Sequence, residues 1–225
     1  MNLRKLFTLL ALSSGLGLFS CEDKADKKLP ILGRKEIVDK EVGGEIMQDT
    51  LYHTIAPFKF VNQDGTEITN DTYRGKIYVS DFFFTTCPTI CPIMKSQMLR
   101  VYEAYQSDPN VFILSHTIDP EHDTVALLND YAKRLGVQAP KWNFVTGDKE
   151  KIYEIGQQSY MVTAYEDEQA DGGYIHSGAF LLIDPEGRVR GKYDGTKPEE
   201  VEALIKDIPS LKKEYGMTSD DKSSL

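Results

Sequence analysis

Two cysteines stand four residues apart, Cys87 and Cys91, in the run Phe82-Phe83-Phe84-Thr85-Thr86-Cys87-Pro88-Thr89-Ile90-Cys91-Pro92. The apolar segment Lys76-Ile77-Tyr78-Val79 leads into this run and a helical pattern follows it, so the thiols fall where a strand gives way to a helix. Four residues of helix bring two side chains onto one face, about 6 Å apart along the axis. That is close to the upper Cα separation a disulfide tolerates. The unpaired amides and dipole of a helix N-terminus favour thiolates. Pro88 and Pro92 suit a helix start, where a missing amide hydrogen costs least. Such a pair can share a soft metal ion or close a disulfide.

Two thiolates leave a metal site short of donors, and the chain has four histidines. His53, near the start of the folded part, is expected at the surface. His116 ends a buried strand and is expected as a hydrogen-bonded core imidazole. His122, in Asp119-Pro120-Glu121-His122-Asp123, is expected as a solvated turn residue. His176 differs. It lies in Asp171-Gly172-Gly173-Tyr174-Ile175-His176-Ser177-Gly178, a glycine-rich loop entering an apolar strand, which can carry a side chain over a neighbouring helix end. It is the candidate third ligand, with a structural histidine as the alternative. Two thiolates and one imidazole suit a single copper ion, Cu(I) or Cu(II), whereas structural zinc would need a fourth donor. Among the carboxylates, Asp123 is expected to cap the helix that follows it. Asp81, inside an apolar strand, must either be hydrogen-bonded locally or point into the site. Met94 and Met98 are expected in the core.

The third cysteine bears on location. Met1-Asn2-Leu3-Arg4-Lys5 is a short basic start, and Leu6 to Phe19 is largely apolar. Leu18-Phe19-Ser20-Cys21 then gives way to the charged Glu22-Asp23-Lys24. This describes a secretory signal rather than a spanning helix, which needs about 20 apolar residues. A cysteine at the cleavage position resembles a bacterial lipoprotein signal, with Cys21 as the lipidated first residue. The whole chain carries 26 basic and 35 acidic residues, a net charge of −9, and loss of Arg4 and Lys5 makes it −11. So acidic a chain argues against a nucleic-acid partner. An exported protein with only two cysteines in its folded part is not a disulfide-stapled scaffold.

The elements that must position the thiols follow from local pattern. Residues 1–20 are expected as signal peptide, 21–51 as lipidated tether and spacer, 52–213 as one folded domain and 214–225 as a polar tail. Phe58 to Thr69 predicts a hairpin turning on Asp64-Gly65. Lys76–Phe84 and Val111–Ser115 predict buried strands, and Cys91 to Tyr105 a helix with Met94, Met98, Val101 and Tyr105 on one side. A helix runs to Leu135 and stops at Gly136. Trp142–Val145 predicts a short strand and Asp148 opens a helix through Gln157. Tyr174–Ile183 and Arg188–Tyr193 predict a second hairpin, and Pro198 starts a last helix. Alternating strands and helices imply an α/β domain with parallel central strands and a mixed sheet. Sites in such sheets lie beyond the carboxyl ends of the strands, where Cys87 and Cys91 fall.

The set Cys87-Pro88-Thr89-Ile90-Cys91-Pro92, Thr117-Ile118-Asp119-Pro120-Glu121-His122-Asp123-Thr124, Trp142-Asn143-Phe144-Val145-Thr146-Gly147 and His176 before Phe180-Leu181-Leu182-Ile183-Asp184 resembles the SCO/SenC family in order and spacing. The resemblance covers roughly residues 56 to 208. It implies a thioredoxin-like fold with a central mixed sheet, an N-terminal β-hairpin and flanking helices. It also implies that Cys87, Cys91 and His176 are copper ligands, with Cys87 and Cys91 as a redox-active disulfide pair. The implied activity is delivery of one copper ion to the CuA centre of cytochrome c oxidase subunit II, or to another copper-requiring oxidase, from a bacterial membrane held through a lipid anchor. Thr89, Phe83 and His122 depart from the family's common aspartate, glycine and arginine. A thiol–disulfide oxidoreductase acting on client cysteines, or a copper or redox sensor, is the alternative reading. A plain thioredoxin enzyme has two residues between its cysteines and a cis-proline loop facing them; here three intervene and no proline lies between Pro140 and Pro185. A peroxiredoxin needs threonine where this chain has Phe84.

Overall fold

The computed structural model describes residues 28–167, 169 and 174–217, without the side chains of residues 175 and 176. Strands β1 (Lys35–Val42) and β2 (Glu45–Tyr52) form an antiparallel ribbon that turns on Gly43 and Gly44, both at positive φ. This ribbon occupies much of the segment expected as spacer. Almost all of its residues are exposed. The signal segment, Cys21 and residues 218–225 lie outside the described residues.

Strands β3 (Lys59–Asn62) and β4 (Glu67–Thr69) make the expected hairpin, with Gly65 at φ 78°. The Asn62 side chain accepts from the amides of Asp64 and Thr66, closing the turn. A single turn α1 (Asn70–Tyr73) leads into β5 (Ile77–Phe83), every residue of which is buried. Helix α2 (Ile90–Tyr105), strand β6 (Val111–Thr117), helix α3 (Val125–Leu135) and strand β7 (Trp142–Thr146) follow in alternation. Thr124 caps α3 by accepting from the Leu127 amide, and Gly136 ends it in the left-handed region. Thr124 thus takes the capping role expected of Asp123, whose carboxylate is engaged elsewhere. Helix α4 (Lys149–Glu154), capped by Asp148, widens into a π-helical turn over Ile155–Ser159.

The remaining strands are β8 (Ala164–Glu166), β9 (Tyr174–His176), β10 (Ala179–Ile183) and β11 (Val189–Asp194), before helix α5 (Pro198–Glu214). The sequence pattern predicts one strand from Tyr174 to Ile183, but the structure divides it at Ser177-Gly178. The Ser177 amide donates to Thr163 while the Gly178 carbonyl accepts from Gly195, so the chain crosses there from one ladder to another. Strand β9 pairs with β8, and β10 pairs with β11 and β5.

Among the described residues the main sheet has seven strands, in the order β11-β10-β5-β6-β7-β3-β4. Its central three are parallel, in a register that aligns Asp81, Ser115 and Phe144, and β10 and β3 flank them antiparallel. Helices α2 and α3 reach one face: Tyr131 stacks on Phe83 at 5.6 Å, and Met94, Met98 and Val101 of α2 are fully buried. Burial of each such side chain contributes about 1.5–3 kcal/mol. Helix α5 lies against α2, joined by the Arg100–Glu202 ion pair at 2.8 Å. Phe58, Phe60, Phe82, His116 and Tyr160 form an aromatic cluster on the opposite face. Parallel strands covered on both faces account for the largely apolar, fully or nearly buried runs of β5 and β6. No helix among the described residues is long and apolar enough to cross a membrane.

Candidate metal centre

Strand β5 ends at Phe83 and α2 begins at Ile90, so Cys87 sits in the connecting turn and Cys91 in the first helical turn. The Cys87 amide donates to the Phe84 carbonyl at 3.3 Å, which folds the turn back on the strand end. The two thiols lie close enough there to act on each other's ionisation, and both are buried. Their surroundings differ. Burial opposes ionisation of Cys87, but the amides of Cys91 and Thr89 and the Thr89 hydroxyl outweigh it and hold this thiol below its ordinary value. For Cys91, burial dominates and pushes the thiol well up, against the pull of the Lys95 ammonium and the Phe84 amide.

Beneath Cys91 lies an ion pair. Lys95 contacts Asp81 at 2.7 Å, with the two side chains 3% and 0% exposed. Ser115 donates to the other Asp81 oxygen and accepts from the Trp142 indole at 2.9 Å, and Lys95 lies 4.0 Å above the Phe83 ring. The Asp81 carboxylate is therefore held locally, the first of its two expected roles. Lys95 was not singled out by sequence. Its signal was a charged residue on the apolar stripe of α2, between Met94 and Met98, matched by an acid in the neighbouring apolar strand.

The loop after β6 braces the turn. Asp123, fully buried, accepts from the amide and hydroxyl of Thr85 and from the Thr117 hydroxyl. It thereby ties the end of β6 to the residue two before Cys87. The Tyr174 hydroxyl faces Asp119. The Thr117–Thr124 motif thus contacts both the thiol turn and β9.

Among the histidines, His176 is placed by its backbone in β9, opposite Ala164, and its side chain lies outside the described residues. His116 is a core imidazole as expected, stacked on Phe82 at 4.7 Å. Only Nδ1 has a partner, Ser80 at 3.3 Å, and Nε2 has none among the described residues. His53 is half-buried rather than superficial, because its Nε2 meets the Ser159 carbonyl at 2.8 Å. His122 is exposed as expected. The described residues hold no group of three or more His, Cys, Asp or Glu side chains able to take a metal ion. The structure brings together the two sulfurs and places the strand of the third expected donor.

A mixed sheet with paired thiols between its first central parallel strand and the following helix defines a thioredoxin-like domain with a thiol centre. The chain belongs to the SCO1/SenC family, whose sequence model matches residues 47–213. Its fold is similar to that of a SCO1/SenC family lipoprotein from Bacillus anthracis, at 30% identity, 71% of this chain and 95% of that chain, with a TM-score of 0.65. It is similar to BsSco, a member of the Sco family of cytochrome c oxidase assembly proteins in which a disulfide switch was identified. That match has 30% identity, covers 71% of this chain and 93% of that one, and has a TM-score of 0.63. Bradyrhizobium japonicum ScoI, solved with copper bound, matches at 28% identity over 68% of this chain and 98% of its own, with a TM-score of 0.57.

Proposed function

We propose that this protein binds one copper ion through Cys87, Cys91 and His176 and delivers it to the CuA centre of cytochrome c oxidase subunit II during respiratory assembly. The observation that carries this reading is the meeting of the Cys87 and Cys91 sulfurs at the start of α2, in a chain whose relatives include a copper-bound Sco protein and an oxidase assembly protein. Soft sulfur donors with one imidazole match copper. Three donors leave a coordination position for an incoming client cysteine, so the ion can pass through a shared intermediate. Lipidation at Cys21 would hold the domain on the outward side of a bacterial membrane, near its client; the lipoprotein relative supports this placement.

A thiol–disulfide exchange role on client cysteines is favoured by one observation, the opposite displacement of the two thiols. The Cys87 thiol is held down and can attack a disulfide, while Cys91 stays protonated until its proton is taken. Closing the pair would empty the copper site, which links loading to redox state.

The test is copper stoichiometry and absorption spectrum of the reduced full-length protein in detergent. One ion per chain is expected. Cys87→Ala or Cys91→Ala abolishes binding, and His176→Ala weakens it with a changed spectrum. An unchanged spectrum in His176→Ala would overturn the ligand assignment.

A further inference from the structure

Strand β9 carries residue 176 and, among the described residues, pairs only with β8, in a ribbon of three residues a side that is separate from the main sheet. A short two-stranded ribbon is marginal on its own, so contacts outside its ladder must fix where it sits. Strand β8 is held by Lys149, which ion-pairs with Glu166 and lies 3.9 Å from Glu121, and by Gln157, which donates to the Ala164 carbonyl at 2.8 Å. Strand β9 is held by Tyr174. Its ring packs against Phe84 with centroids 5.0 Å apart, and the Phe84 carbonyl takes the Cys87 amide at 3.3 Å. Its hydroxyl faces Asp119, in the same loop whose Asp123 holds Thr85 ahead of the thiols. Alternation along a strand puts positions 174 and 176 on one face of the ribbon.

We infer that Tyr174 is a positioning residue for the centre: by gripping Phe84 and Asp119 it registers the strand bearing His176 against the thiol turn. Its consequence for copper rests on the proposed ligand role of His176, but the grip itself does not. The ring supplies contact with the thiol side and the hydroxyl supplies contact with the loop. Tyr174→Phe keeps the first and loses the second; Tyr174→Ala loses both.

The experiment compares wild type, Tyr174→Phe, Tyr174→Ala, His176→Ala and Tyr174→Ala/His176→Ala as full chains in detergent. In the metal-free proteins, amide hydrogen exchange is followed at β9 and at Ser177, whose amide bonds Thr163 at 2.9 Å. Tyr174→Ala is expected to speed exchange there about tenfold or more, with Tyr174→Phe between it and wild type and with β5 and β6 unchanged. Copper added alone should bind Tyr174→Ala about 10- to 100-fold more weakly, and the same substitution should cost less than about twofold in the His176→Ala background. Unaltered exchange at β9 in Tyr174→Ala overturns the inference. So does an undiminished affinity loss from Tyr174→Ala when His176 is already gone. If His176→Ala binds copper like wild type while Tyr174→Ala still loosens β9, the ligand reading falls and the positioning role stands.

Discussion

Lys95 and Asp81 form an ion pair at 2.7 Å inside the core, one helical turn beyond Cys91, with both side chains buried. Desolvation of two such groups is costly, and the surroundings offset it. Asp81 takes a second hydrogen bond from Ser115, itself fixed by the Trp142 indole, and Lys95 lies over the Phe83 ring. The pair couples α2 to the central strands β5, β6 and β7 directly under the thiols. Its position also sets the sign of its effect on Cys91, since the ammonium opposes the upward push of burial.

Lys95→Met should therefore destabilise the fold by about 3–5 kcal/mol, because it leaves the Asp81 carboxylate buried and unpaired. Adding Asp81→Asn removes the stranded charge, and the double variant should recover a large part of the loss. Urea unfolding of the three proteins checks this. Equal midpoints for Lys95→Met and wild type would show that the pair contributes nothing to stability.

Much of this architecture was visible in local pattern, and the exceptions share a cause. The β3–β4 turn, the limits of α3 and the buried runs of β5 and β6 are dictated by neighbours in sequence: Asn62 and Gly65, Thr124 and Gly136, and strands that are apolar over most of their length. The thiol pair was legible for the same reason, as its spacing and its place after a strand are both local. The contacts that brace it are not. Asp123 looked like a helix cap because capping is the commonest local use of such a residue, yet its carboxylate spans 38 residues to Thr85. Lys95 and Asp81 are each anomalous alone and make sense only when paired across 14 residues. The break at Ser177-Gly178 was hidden because both halves of the apolar run suit a strand, and only the position of Thr163 and Gly195 divides them.

His116 gives the fold a dependence on pH. Burial, the largest influence, lowers its pKa from 6.5 to about 4, against the pull of Asp81. The unfolded chain therefore binds a proton between those values that the folded chain refuses. The associated stability is fully present above pH 6.5 and is lost as pH falls toward 4, by roughly 3 kcal/mol. In His116→Leu this share of the acid sensitivity should vanish, so the variant's loss between pH 7 and pH 4 should be smaller by about that amount. Chemical denaturation at the two pH values measures the difference, and parallel losses in both proteins would contradict it.

Arg190 sets how firmly the start of the described chain is held. It is buried, and its guanidinium bonds the carbonyls of Leu29 and Pro30 at 2.6 and 3.0 Å, Asp184 at 3.2 Å and Glu214 near the end of α5 at 2.7 Å. Arg190→Met removes all of these, but Asp184 keeps Arg188 at 2.8 Å and the Tyr215 hydroxyl at 2.8 Å, so no buried carboxylate is stranded. The global cost should accordingly be smaller than for Lys95→Met, with the loss concentrated at residues 29 and 30. Trypsin should then cut after Arg34 faster, by about tenfold for each 1.4 kcal/mol of local stability removed. The Leu32 amide remains tied to Val189 at 2.8 Å and limits the gain. Timed digestion of wild type and variant decides the point, and equal rates at that bond would mean the segment is anchored by Leu32 and its neighbours rather than by Arg190.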